Sequence, residues 1–160
     1  MQYAHRFSSR LSSSNLIIIM QKYIYEIFEE TCKLKNRDDR ITYLKENAFK
    51  QVKSVLQLCY NDNIELDLPY GRPPFELCPE GREPSPLANA FSSIGVCVKD
   101  NGVARVKKEK IFIGILEQLC EKDAHILCAA KDGTITTLNN KAYSKITKSL
   151  VEACFPNILK

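Results

Sequence analysis

Past Met20 the apolar residues of the chain recur mostly at helical spacing. Ile24, Ile27, Phe28 and Cys32 form one stripe between Met20 and Lys35, with Glu26, Glu29 and Glu30 on the other side, which predicts an amphipathic helix. Asn36, with Asp39 three residues on, is expected to cap a second helix through Ile41 and Leu44. A third is predicted from Ala48 to Tyr60, where Phe49, Val52, Leu56 and Cys59 align and Lys50, Lys53 and Gln57 lie elsewhere. Asn61, Asp62 and Asn63 then stop the helix, because their side chains compete for backbone hydrogen bonds and accept turn conformations. Ile64, Leu66 and Leu68 alternate with Glu65 and Asp67, a half-buried extended pattern.

The next segment excludes a helix. In Pro69-Tyr70-Gly71-Arg72-Pro73-Pro74-Phe75 the prolines remove backbone donors, and Arg72 before Pro73 is driven toward extended geometry. Pro79, Gly81, Pro84 and Pro86 carry this stiff connector to residue 86.

Beyond it, Leu87 to Val98 fits two patterns. Leu87, Ala90, Phe91 and Ile94 suit a short helix, whereas Ile94, Val96 and Val98 alternate like a strand; the helix, followed by a turn at Asn101-Gly102, is the preferred expectation. Val106 to Cys120 places Phe112, Ile115, Leu116 and Leu119 on one face, and a following helix capped by Asp123 buries Ile126, Leu127 and Ala130 until Gly133 ends it. Thr134 to Leu138 is expected to be a short extended arm, and Ser144 to open a last helix through Ile146, Leu150, Val151 and Cys154 that Pro156 ends. The fold class expected is mainly α: a helical bundle at 20–68 and a helical subdomain at 87–160, joined by the Pro-rich extended connector at 69–86, with room for one short hairpin.

Residues 1–19 stand apart. No acid occurs before Glu26, and Arg6 and Arg10 accompany five serines, a composition that superficially resembles a transit peptide. Because the helical pattern begins directly at Met20, the expectation is that Met20 is the true start and 1–19 a disordered extension. This changes the charge argument. The formal net charge is +4, but without Arg6 and Arg10 the body is close to +2, too little by itself to indicate nucleic acid. No apolar run approaches the length of a membrane-spanning helix.

Seven cysteines are present, none in a CxxC pair, and no HxxxH exists. Zinc modules need closely spaced ligand pairs, so neither a metal nor another cofactor is expected. The odd count and the apolar settings of most of these cysteines predict reduced core thiols. His125 and Cys128 lie one helical turn apart and would be the only nucleophile–base pair, yet no third group or oxyanion motif accompanies them, so a catalytic site is not expected.

Two sets of residues remain as candidate binding surfaces. Pro69, Tyr70, Gly71, Arg72, Pro73, Pro74 and Phe75 combine backbone order with two aromatic rings, suited to a protein partner unless Tyr70 and Phe75 merely clamp the connector to the helices. Lys107, Lys108, Lys110, Lys141, Lys145 and Lys148 would, on one face, meet the phosphates of a nucleic acid.

Some of these segments also carry a resemblance. Tyr25-Glu26-Ile27-Phe28-Glu29, Leu68-Pro69-x-Gly71-x-Pro73-Pro74, Lys108-x-x-x-Phe112 leading to Leu116-Glu117, and Ile146-Thr147-x-x-Leu150-Val151-x-x-Cys154-Phe155-Pro156 are similar to a family of short proteins of unknown function from large contractile-tailed bacteriophages. The similarity spans about 20–160; the cysteine richness, and Cys154 where alanine is expected, depart from it. The resemblance implies a phage protein in the cytoplasm of an infected bacterium, with virion association a further option, and supplies no active site. The expected function is therefore a non-catalytic bacteriophage accessory protein that binds an unknown host or phage protein, with no membrane partner. The alternative is a nucleic-acid-associated phage factor using the lysine face.

Overall fold

A computed structural model describes residues 22–79, 82–84 and 92–160 of the chain. The expectations for residues 1–19, Met20, Gly81, Pro86 and the start of a helix at Leu87 lie outside those residues.

The described chain is mainly helical. Three helices precede the connector: α1 (Ile24–Lys33), α2 (Arg37–Asn47) and α3 (Lys50–Tyr60). Three longer ones follow it, α4 (Arg105–Leu116), α5 (Glu121–Asp132) and α6 (Lys148–Cys154), with the four-residue helical segment Leu138–Lys141 between the last two. No strand occurs among the described residues. The alternation of Ile64, Leu66 and Leu68 yields one isolated antiparallel bridge, Leu66 with Val98, flanked by Asp67 N–H to Cys97 C=O and Lys99 N–H to Glu65 C=O, both 2.9 Å. From Ser92 onward, the segment that fitted both helix and strand is a turn followed by the 3-10 helix Ile94–Cys97.

The helical stripes bury as their spacing demands. Ile24, Ile27, Phe28 and Thr31 are the buried side of α1, and Phe112, Ile115 and Leu116 that of α4. Residues from both sides of the connector enter one apolar cluster, in which Phe28 meets Tyr143 edge to face with ring centroids 5.9 Å apart. Polar contacts also join the two segments. Arg37 Nη2 donates to Ser149 Oγ at 2.9 Å, Gln57 Nε2 to the Ile158 carbonyl at 2.9 Å, and the Tyr60 hydroxyl to the Ile146 carbonyl.

Three local expectations are corrected. Asp123 does not cap its own helix: α5 starts two residues earlier, after Cys120, and Asp123 is a buried residue of its first turn. Its carboxylate instead accepts from the Tyr25 N–H at 3.0 Å, one of the donors that the first turn of α1 leaves without an intrahelical partner. Thr134–Leu138 is not an extended arm. Gly133, at φ +70°, ends α5 with Gly133 N–H to Ala130 C=O and Thr134 N–H to Ala129 C=O, and this left-handed closure turns the chain into the 3-10 helix Ile135–Thr137, where Ile135 is buried. The last helix opens at Lys148 rather than at Ser144, because Thr147 supplies the cap: its Oγ1 accepts from the Leu150 N–H at 3.2 Å. Between these elements Asn139, Asn140 and Lys141 hold positive φ and reverse the chain, a conformation asparagine tolerates well.

Candidate functional site

The connector is strapped onto the C-terminal end of α5. Lys131 Nζ donates to the Pro69 carbonyl at 2.7 Å, and the Gly71 N–H donates to Asp132 Oδ2 at 2.9 Å, so two neighbouring side chains hold backbone groups on either side of Tyr70. Lys131 and Asp132 also pair with each other, and their side chains are only 4% and 10% exposed. Gly71 sits at φ +90°, a conformation that glycine adopts without a Cβ penalty, while the space around it is open. The requirement for glycine here comes from the backbone.

Tyr70 lies between these anchors with 80% of its surface exposed, so it does not clamp the connector. Phe75 does. It is half-buried, with its ring against the His125 imidazole at 6.4 Å and an interplanar angle of 72°. One residue on, the Glu76 N–H donates to Glu117 Oε1 at 3.4 Å.

Between the strap and α4 runs a groove of about 360 Å³. Pro69, Tyr70, Gly71, Arg72, Pro73 and Pro74 form one wall, and Ile113, backed by buried Phe112, supplies apolar surface opposite. The charges around it are unequally matched. Lys131 is neutralised by Asp132, and Glu109 pairs with Arg105 at 3.4 Å. Arg72 is exposed and makes no hydrogen bond or ion pair among the described residues.

A second depression, of about 610 Å³, lies over α1 and is lined by Lys22, Tyr25, Glu26, Glu29, Glu30, Tyr43 and Lys122. Several of its charges are already engaged: Lys122 bonds Glu29 at 2.7 Å over the Tyr25 ring, and Lys22 bonds the Tyr43 hydroxyl at 3.1 Å.

The six lysines do not form one solvated face. Lys107, Lys110 and Lys141 are exposed. Lys108 is buried, with its ammonium 3.1 Å from Asp67 Oδ2. Lys145 caps the end of α1 by donating to the Cys32 carbonyl at 3.0 Å and the Leu34 carbonyl at 3.5 Å, and Lys148 pairs with Asp62 at 3.3 Å. Lys108 and Lys145 thus use their ammonium groups for contacts within the chain rather than presenting them to phosphates.

His125 and Cys128 share α5 without forming a hydrogen bond to each other. Burial pushes the Cys128 thiol up to about 11, so it is protonated near neutral pH. Burial, and then the Arg72 cation, lowers His125 below its ordinary value, while Glu121 acts the other way. Among the described residues no three His, Cys, Asp or Glu side chains gather as a metal site, and no helix is long and apolar enough to cross a membrane.

Sequence reasoning found the strap but missed its partners. Lys131 and Asp132 read as the ordinary polar end of a helix before Gly133, and nothing in their spacing indicates which part of the connector they hold.

The fold and groove define a mainly helical protein with a proline-rich strap pinned across two helices. Residues 27–137 match a family of unknown function, DUF6433, and the chain belongs to that family. No curated protein and no solved structure matches the chain.

Proposed function

We propose that the chain is a non-catalytic accessory protein that binds another protein through the strapped connector. The observation that carries this reading is Tyr70: a largely exposed aromatic ring held on a backbone anchored at Pro69 and Gly71, on the rim of an apolar groove. Tyrosine and arginine dominate the energetics of protein interfaces, and a preordered loop loses little entropy when it binds. The protonated Cys128 thiol, and the His125 ring packed on Phe75, support a role without nucleophilic catalysis.

The resemblance to proteins of contractile-tailed phages supports a finer reading, a bacteriophage protein acting in the cytoplasm of the infected host. The reading as a nucleic-acid-associated factor keeps Lys107, Lys110 and Lys141 as exposed cations but has Lys108, Lys145 and Lys148 drawn into contacts within the chain. Affinity purification of the tagged chain from infected cells, with and without nuclease, separates the two. Protein partners that survive nuclease treatment are expected; loss of every partner would favour nucleic acid.

A further inference from the structure

The unequal charges around the groove indicate the chemistry of its occupant. Half-buried Ile113, set over the buried Phe112 ring, offers apolar surface, and the rings of Pro69, Pro73 and Pro74 form a stiff wall facing it. A groove of about 360 Å³ has room for a few side chains rather than a broad domain surface. Lys131 has Asp132 and the Pro69 carbonyl, and Glu109 has Arg105. Among the described residues, the groove cation left unmatched is Arg72, whose planar guanidinium suits a carboxylate through two parallel hydrogen bonds. Exposed Lys110, one helical turn from Ile113, adds to the same sign.

We infer that the groove takes an extended segment of another protein that sets an aliphatic or aromatic side chain against Ile113 and the proline wall and a neighbouring Asp or Glu against Arg72. This rests on the protein-binding reading above. The chain's own first 25 residues contain no Asp or Glu and so cannot provide the side-chain carboxylate.

Selection of random short peptides on the purified full-length chain, followed by anisotropy titration of the enriched peptides, tests the inference. The peptides should carry an apolar residue next to an acid, and Arg72→Glu should weaken them roughly tenfold or more while leaving the circular dichroism unchanged. Peptides with lysine in place of the acid should gain affinity for that variant. Ile113→Lys should abolish binding of both kinds. Enriched apolar peptides that are lost with Ile113→Lys but indifferent to Arg72→Glu would overturn the carboxylate and leave the groove as a protein site. Enrichment of no peptide sensitive to Ile113→Lys would overturn both. Self-association of the chain that disappears in Arg72→Glu, seen by sedimentation, would overturn the inference in favour of a second copy.

Discussion

The Gly71 N–H donates to Asp132 Oδ2 across 61 residues of sequence, and the same carboxyl group pairs with Lys131, whose ammonium reaches the Pro69 carbonyl. One carboxylate thereby fixes both the turn of the strap and the lysine that holds its other side. Asp132→Ala removes both partners and leaves the Lys131 cation poorly exposed. Loss of roughly 3 kcal/mol is expected in urea unfolding, since breaking a buried ion pair strands the remaining charge. Asp132→Asn keeps an acceptor for Gly71 and should lose less. Faster exchange of the Gly71 amide in Asp132→Ala checks that the strap itself is released.

Lys108 offers a different test, because its side chain is 2% exposed while its partner Asp67 is 31% exposed. Water still solvates the carboxylate, so most of what Lys108 contributes comes from its buried stem. Lys108→Ala should cost about 2–4 kcal/mol, as for other large-to-small changes in a core. Lys108→Met should retain most of the stability. Equal losses in the two variants, measured by denaturant unfolding, would assign the contribution to the charge instead.

Asp123 caps α1 from another helix. Asp123→Ala should cost about 1–2 kcal/mol, the range for a lost cap or an orphaned buried donor, and should expose the Tyr25 amide to exchange while α5 stays protected.

How much of this was legible in the sequence depends on the range of the interaction. The stripes Phe112–Ile115–Leu116–Leu119 and Ile126–Leu127–Ala130 are buried as their spacing indicates, because a helix buries one side whatever it packs against. Gly133 likewise ends α5, since a left-handed closure is a local property of glycine. The roles of Asp123, Lys108 and Asp132 were not legible. Lys108 and Asp132 are polar and lie on helices, which reads as solvent-facing, Asp123 reads as the cap of its own helix, and each is bound to a residue at least 41 positions away. The extended expectation for Thr134–Leu138 failed because β-branched residues suit a strand only if a neighbour pairs with them, and here the Gly133 closure wraps the segment so that Ile135 is buried.

His125 gives the strap a dependence on pH. Burial and Arg72 hold it below the ordinary 6.5, so as pH falls the unfolded chain takes up this proton before the folded one. Its contribution is full above the ordinary value and declines as the pH drops through it toward the lowered folded value. Thermal unfolding followed from neutral to mildly acidic pH should show this decline, and His125→Gln should flatten it.

Docking of a protein partner on the strap, as proposed, is decided by quantitative copurification after nuclease treatment, comparing the wild-type chain with Tyr70→Ala. Tyr70 is so exposed that its truncation should leave the fold and its unfolding midpoint unchanged. The nuclease-resistant partner should fall at least about tenfold in yield, as expected for an interface hot spot. Undiminished recovery of the same partner with Tyr70→Ala would contradict it.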